Sequence, residues 1–231
     1  MREQGLKVLT DHKLLPSLKS LKLDLCKHCI YGKQNRQRFK TGRHTSEGIL
    51  DYIHSDVWGP SPTISYGDSS YFVTFIDDFS RKVWIYMLKR KVDVFTVFKQ
   101  FRALVDKSIG RSIKCLRTDN GGEFTSMEFE NYCKEFGIDR HKTTAYTPQQ
   151  NGLVERTNTT LLEREMGMLS NANLQQEIWA EEVTTSCYLV NRSQSTTIEC
   201  KIPEEIWKGH PCNYSNFKIF CCEAYALILK H

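Results

Sequence analysis

The sequence contains no run of apolar residues that approaches the length of a membrane-spanning helix. Its basic, polar beginning also lacks the apolar stretch of a secretory signal. We therefore expect a chain that stays in reducing compartments, without a membrane partner. There the nine cysteines are better explained as free thiols or metal ligands than as a disulfide framework. Internal repeats and low-complexity tracts are absent too, which excludes a repeat architecture.

The net charge of +5 is distributed unevenly along the chain. Residues 1–44 contain 11 Lys and Arg side chains against 3 acidic ones, and the remainder contains 21 against 24. A basic arm before a slightly acidic globule suits a polyanionic partner, because each Lys or Arg that meets a phosphate releases counterions. A solvated surface that only aids solubility has the same composition, so charge alone leaves both interpretations open.

The 231 residues are enough for one substantial core with a small appendage. Strand patterns occur at residues 49–57, 71–76, 83–88 and 112–117, and the turn-like segment 77–80 favours a hairpin. Helical patterns occur at residues 92–105 and 126–136, from the loop 147–152 through 169, and near 176–190 and 203–207. The buried stripe of the first helix is predicted to comprise Val94, Val97, Phe98, Phe101, Leu104 and Val105. These patterns predict an α/β fold with a mixed sheet and helices on both faces.

Three acidic residues occupy positions that folding alone would not favour. Asp56 lies near the end of the first strand, and Asp119 follows the strand at 112–117. Gly121 and Gly122 are expected to let the backbone turn sharply after Asp119. Glu155 lies one turn into the long helix, at the edge of its predicted buried stripe. That stripe comprises Val154, Leu161, Leu162, Met168 and Leu169.

Carboxylates on rigid elements suit two-metal phosphoryl transfer. Two Mg²⁺ or Mn²⁺ ions roughly 3.5–4 Å apart require hard oxygen ligands. One ion activates water or a 3′-hydroxyl group, and the other stabilises the leaving oxygen. Most Asp and Glu side chains are only solvated surface, so the assignment depends on the spacing and the flanking motifs.

The order Asp56, Asp119 and Glu155, with 35 residues between the last two, resembles the D,D-35-E pattern of retroviral and retrotransposon integrases. The flanking text resembles the Ty1/copia branch at residues 54–60 (HSDVWGP), 71–80 (YFVTFIDDFS), 117–124 (RTDNGGEF), 146–156 (YTPQQNGLVER), 179–181 (WAE) and 188–192 (YLVNR). The resemblance implies an RNase H-like mixed five-stranded sheet flanked by helices. It also implies Mg²⁺- or Mn²⁺-dependent 3′-end processing and strand transfer by these three carboxylates, which would insert element DNA into host DNA.

The same resemblance divides the chain into three parts. Residues 1–45 correspond to a truncated, loop- and helix-rich zinc-finger-like segment, residues 46–210 to the catalytic core, and residues 211–231 to a C-terminal extension. The implied partners are element DNA ends, target DNA and further copies of the chain. The implied location is the nucleus, although no targeting signal is evident and the cytoplasm would otherwise apply.

The loop before Glu155 is expected, by the resemblance, to contact DNA ends through neutral polar side chains and one arginine. These residues are Thr147, Gln149, Gln150, Asn151 and Arg156. The alternative is a polar loop that only leads into the helix, with Asn151 as its N-cap.

Cys26 and Cys29 have the spacing of half a zinc site, and a structural site needs four ligands. The resemblance implies a His-His-Cys-Cys finger whose histidines would lie upstream of this sequence. His12, His28 and His44 match neither histidine position, so we expect weak zinc binding or none.

Five positions depart from the family pattern. Thr157 and Thr159 stand where the family carries large or basic residues, which removes contacts to phosphate. Glu165 falls within the apolar stripe, where an unpaired carboxylate is costly. Gly167 costs about 1 kcal/mol relative to alanine inside a helix, and Cys222 replaces a glycine. These departures indicate a degenerating copy.

Three functions therefore remain open: an integrase, a catalytically silent nucleic-acid-binding remnant, and an RNase H-like nuclease with other substrates. The 35-residue spacing and the helix that begins after TPQQNG count against the nuclease.

Overall fold

The computed structural model describes residues 46–143, 151–172, 174–215 and 217. The chain divides into two units, Met1–Thr41 and Gly42–His231, and all described residues belong to the second. Cys26, Cys29 and Cys222 lie outside the described residues, as does the predicted segment 1–45. The boundaries placed after residues 45 and 210 stay predictions.

The sheet has five strands in the order β3-β2-β1-β4-β5. The strands are β1 (Ile53–Trp58), β2 (Tyr71–Asp77), β3 (Val83–Leu88), β4 (Cys115–Thr118) and β5 (Asp139–Lys142). The first three strands pair antiparallel, whereas β1 with β4 and β4 with β5 pair parallel. The turn between β2 and β3 is held by Asp77, whose carboxylate accepts hydrogen bonds from the backbone N–H groups of Leu50 and Ser80. The predicted hairpin and mixed sheet are confirmed.

Five α-helices flank this sheet within the described residues: α1 (Val94–Ile109), α2 (Met127–Glu135), α3 (Gly152–Ala172), α4 (Trp179–Asn191) and α5 (Pro203–Lys208). Ser126 caps α2 by accepting a hydrogen bond from the N–H of Phe129, and Gly137 follows the helix with φ +65°. No helix in the described part is both long and apolar enough to cross a bilayer.

Two apolar cores lie on opposite faces of the sheet, because successive residues of a strand point to opposite faces. Val73 and Phe75 of β2 belong to the core that contains α1 and α2. Phe72 and Ile76 belong to the core that contains α3 and α4. Asp56 pairs with Thr74 and Trp58 pairs with Phe72, so Asp56 shares the face covered by α3.

Three sequence predictions need correction. Leu104 is 54% exposed and lies outside the buried stripe of α1. The first strand begins at Ile53, because residues 46–51 form bends and turns, with Leu50 at a positive φ of 66°. No residue range was predicted for the fifth strand, because its sequence, Asp-Arg-His-Lys, does not alternate apolar and polar residues. β5 lies at the edge of the sheet.

Candidate active site

Asp56 and Asp119 reach the same edge of the sheet on neighbouring parallel strands. β1 and β4 pair with His54 opposite Arg117. Extending this register by two residues places Asp56 level with Asp119, one residue beyond the end of β4. The carboxyl ends of parallel strands commonly form ligand sites in α/β folds, and here two acidic side chains meet at such an edge.

The Asp119 carboxylate is held by its own turn, since the backbone N–H of Gly121 donates to Asp119 Oδ1 at 3.0 Å. The backbone turns after Asp119 as predicted, and neither Gly121 nor Gly122 has a positive φ in that turn. Gly121 instead leaves room for the Glu123 carboxyl group, which would lie 2.8 Å from an added Cβ atom. Gly121 is therefore needed for the space that it leaves in this turn and not for a left-handed torsion.

β1 ends where the backbone passes close to the start of β2. Gly59 has a φ of +122°, and an added Cβ atom would lie 2.7 Å from the carbonyl oxygen of Ser70 and from a ring carbon of Tyr71. Only glycine fits both the torsion and the space. This close turn leaves Asp56 beside an open cleft just before the strand ends.

The cleft has a volume of about 460 Å³ and is lined by both β1 and α3. Its polar lining includes Asp56, Glu155, Asn158 and Thr159. Glu155 is exposed on the first turn of α3, as its predicted position at the edge of the apolar stripe requires. Asp119 is half-buried and is not among the lining residues.

Burial and like charges act together on Asp56. Its pKa rises from 3.8 to about 6, first because of burial, then because of the negative charge of Asp119, with a smaller contribution from Glu155. Hydrogen bonds from the Val57 backbone and from Asn158 oppose this shift. Asp119 and Glu155 therefore both act electrostatically on Asp56.

Asn158, one turn after Glu155, was not singled out from the sequence. Its Nδ2 donates to Asp56 Oδ2 at 3.1 Å, and its Oδ1 accepts from the Thr74 hydroxyl at 3.0 Å. A signal was present, since Asn158 follows Glu155 by three residues and falls near the buried stripe of the helix.

A divalent cation would relieve the repulsion between these carboxylates. Carboxylate oxygens are also the hard ligands that Mg²⁺ prefers, so the donor types fit Mg²⁺. Within the described residues, however, no three His, Cys, Asp or Glu side chains lie close enough together to hold one ion. The arrangement fits an ion held by one or two carboxylates and completed by substrate phosphates, which is a common Mg²⁺ arrangement. The metal-ligand set Asp56, Asp119 and Glu155 stays a prediction.

Three residues predicted to contact DNA, namely Thr147, Gln149 and Gln150, lie outside the described residues. Asn151 is only 3% exposed, and its Oδ1 has no hydrogen-bond partner, so it makes no capping bond. Arg156 is exposed, and its guanidinium lies against Gly152, with Nη1 3.3 Å from where a Cβ would stand. Of the predicted DNA contacts in the described part, Arg156 alone presents an exposed side chain.

Comparisons with known proteins identify the family of this chain. The integrase core domain family matches residues 50–148. The chain is 46% identical over 230 residues to the retrovirus-related Pol polyprotein from transposon TNT 1-94 of Nicotiana tabacum, an alignment that covers 100% of this chain and 17% of that protein. It is 26% identical over 172 residues to the truncated transposon Ty1-A Gag-Pol polyprotein of Saccharomyces cerevisiae, covering 72% and 14%. The chain belongs to the Ty1/copia-type retrotransposon integrases.

The chain spans less than a fifth of the length of these polyproteins. Among solved structures it is similar to a chain in the structure of the simian T-cell lymphotropic virus intasome in complex with the PP2A regulatory subunit B56 gamma. The TM-score is 0.60 at 22% identity, with 89% of this chain and 69% of that chain covered. A second similar structure is the HTLV-2 integrase catalytic core domain in complex with magnesium, with a TM-score of 0.50 at 22% identity and coverages of 68% and 95%. These structures confirm the predicted RNase H-like fold.

Proposed function

We propose that this integrase core catalyses divalent-metal-dependent polynucleotidyl transfer, namely 3′-end processing and strand transfer of retrotransposon DNA. The observation that carries the proposal is the electrostatic coupling of Asp56 to Asp119 and Glu155 at the edge of one open cleft. Burial of a carboxylate beside two like charges is unfavourable for folding, and such arrangements are concentrated at functional sites.

Each side chain has a distinct task in this proposal. Asp56 and Asp119 present carboxylate oxygens from rigid strand ends, and Glu155 presents a third from α3. Asn158 fixes the orientation of Asp56 and helps to keep it ionised. Mg²⁺ or Mn²⁺ held by these carboxylates would activate the attacking oxygen and stabilise the leaving one.

The partners follow from the same proposal. The substrates are element DNA ends and target DNA, the working form is a homo-oligomer, and the reaction takes place in the nucleus. In this proposal Arg156, which is exposed one residue after Glu155, would contact a DNA phosphate. The whole polyprotein would supply further DNA contacts beyond this segment.

One observation favours the second candidate, a silent nucleic-acid-binding remnant. Thr159 lines the cleft where the resemblance implies a basic residue, and its hydroxyl donates to the backbone oxygen of Glu155 at 2.9 Å. The neighbouring Thr157 hydroxyl likewise donates within the helix, to the backbone oxygen of Leu153. Neither side chain brings a positive charge to the DNA-facing cleft.

The experiment that separates the two candidates is a strand-cleavage assay. Labelled DNA ends and a disintegration substrate are incubated with the 231-residue chain in Mg²⁺, in Mn²⁺ and in EDTA, beside Asp119→Asn. The integrase proposal expects metal-dependent products that the variant does not form. DNA binding by both proteins without metal-dependent cleavage by either supports the silent remnant and rejects the enzyme.

A further inference from the structure

Glu165 is a largely buried acidic residue between α3 and α4, and its carboxyl group has no partner within the described part of the chain. The residue is 7% exposed, and among the described residues it forms neither a hydrogen bond nor an ion pair. Burial raises its pKa, and no basic side chain offsets that effect. The sequence pattern predicted that Glu165 would be buried in the apolar stripe, and the structure confirms it. An unpaired buried carboxylate is costly to folding, so its presence needs an explanation.

A second unpaired acid faces this region from α4. Glu182 is fully buried, and neither of its carboxyl oxygens has a hydrogen-bond partner. Its pKa rises to about 7, mainly because of burial and then because of the negative charge of Glu165. One turn later, the buried hydroxyl of Ser186 also lacks a partner. Within the described residues, the interface between the two helices therefore holds two carboxyl groups and one hydroxyl group without a hydrogen-bond partner.

A pocket of about 310 Å³ opens beside Glu165. Its walls are almost entirely apolar and include Trp58, Leu162, Met166 and Trp179. The indole N–H of Trp179 is occupied, because it donates to the backbone oxygen of Thr63 at 2.9 Å. Glu165 is the only ionisable side chain that lines the pocket within the described residues.

We propose that this pocket binds a primary alkylammonium group, the chemistry of a lysine side chain, with Glu165 as its counter-ion. An alkyl chain of about four carbons would lie along the apolar walls, as lysine stems do on protein surfaces. The ammonium group has three N–H donors and no acceptor, and the carboxylate of Glu165 offers it a charged acceptor. The rings of Trp58 and Trp179 line the pocket, and aromatic rings attract organic cations.

The charge of Glu165 and the mainly apolar lining of the pocket favour an alkylammonium ion over a divalent metal ion or a neutral molecule. A divalent metal ion needs several hard oxygen ligands, whereas the pocket lining offers one carboxylate besides the neutral side chains of Ser61, Thr63 and Gln176, of which the last two bond to each other. A neutral apolar ligand would leave the charge of Glu165 uncompensated. A monovalent cation with an alkyl chain packs against the apolar walls and neutralises the charge of Glu165. This inference does not depend on catalysis, since neither Glu165 nor Glu182 belongs to the carboxylate set of the cleft.

The test is a binding titration of the whole chain with n-butylammonium chloride at pH 8, at constant ionic strength. Binding is followed by calorimetry and by tryptophan fluorescence. Nα-acetyl-lysine amide tests whether a lysine side chain of a polypeptide fits, and n-butanol is the neutral comparator. The variants are Glu165→Gln, which removes the charge at nearly constant shape, and Glu163→Gln, which removes an exposed charge from the same helix. Circular dichroism establishes that both variants fold.

We expect saturable binding of both amines to the unaltered chain and to Glu163→Gln. Affinity should fall at least about tenfold in Glu165→Gln, because a charged hydrogen bond and its ion pair are lost. Glu182→Gln should weaken binding less, and n-butanol should bind more weakly than the amine. Binding of n-butylammonium alone assigns the pocket to free amines, which keeps the ammonium chemistry. Equal affinity in Glu165→Gln, equal affinity for n-butanol, or no saturable binding of either amine overturns the proposal.

Discussion

Asn158 Nδ2 donates a hydrogen bond to Asp56 Oδ2 at 3.1 Å, and this contact joins α3 to the end of β1. Asn158 is only 4% exposed, and its Oδ1 is fixed in turn by the Thr74 hydroxyl. The amide therefore cannot rotate freely, and it presents a donor to Asp56 from a rigid support. Because this bond lowers the pKa of Asp56, it favours the ionised form that a metal-dependent site requires.

Replacing Asn158 should move the pH dependence of cleavage. In Asn158→Ala the pKa of Asp56 loses a stabilising donor and rises above its present value of about 6. We expect the acidic limb of the pH–rate profile to shift to higher pH and the rate at pH 7 to fall about tenfold. Thr159→Ala is the matched control, since Thr159 bonds only to the backbone of its own helix. An unmoved acidic limb in Asn158→Ala would show that Asp56 is not held by this bond.

The raised pKa of Asp56 also predicts how stability depends on pH. The folded chain holds a proton on Asp56 up to about pH 6, whereas the unfolded chain releases it near 3.8. Stability contributed by this group is thus greatest below pH 3.8 and declines as pH rises to about 6. Asp56→Asn should therefore raise the free energy of unfolding at pH 7 by on the order of 1–3 kcal/mol. Thermal unfolding at pH 4 should show no such gain, and a gain that is equal at both pH values contradicts the shift.

Thr159 is placed to carry a phosphate contact if its side chain were basic. It is exposed and lines the cleft beside Glu155, whereas the next residue, Thr160, is exposed but does not line the cleft. We expect Thr159→Lys to strengthen DNA binding and to steepen the slope of log K against log salt by about one. Fluorescence anisotropy over a salt series measures both quantities. The same gain in Thr160→Lys would mean that the added charge acts nonspecifically.

Glu182 should destabilise the fold only when it is ionised. Its pKa of about 7 lies above the ordinary value of 4.5, so its stability contribution declines as pH rises through this window. We expect Glu182→Gln to raise the free energy of unfolding by roughly 1–2 kcal/mol at pH 8.5, with little effect at pH 4. Urea unfolding at the two pH values tests this, with the exposed neighbour Glu181→Gln as the control. Stabilisation of Glu181→Gln to the same extent would show that general surface charge, and not burial, is the cause.

The strands and helix ends that depend on local sequence patterns could be predicted from the sequence. Short apolar runs located β2 and β3 to within a residue, and Ser126 and Gly137 marked the limits of α2. The charged strand β5 could not be found this way, because parallel pairing with β4 forms it and not its own hydrophobicity. The residues of the candidate site divide similarly: the carboxylates were found by spacing, whereas Asn158 emerged only when α3 was packed against β1.

Glu165 departs from the family pattern, but this departure alone does not show that the copy is degenerating. Its burial was predictable from helical periodicity, and the lack of a partner followed from the apolar stripe around it. The second acid on α4 and the pocket beside them depend on long-range packing, which no local pattern contains. Glu165, which the sequence pattern indicates is a damaging substitution, lines a defined pocket in the structure.

The most direct test of the central account is the rate of metal-dependent disintegration by Asp56→Asn, measured beside Asp51→Asn and the unaltered chain. Asp51 is a fair control, because its carboxylate lies outside the cleft lining and pairs with Lys114 at 2.6 Å. The account predicts Mn²⁺-dependent product from the unaltered chain and from Asp51→Asn, with a loss of at least about a hundredfold in Asp56→Asn. Equal rates in the two variants, or product that persists in EDTA, would contradict it.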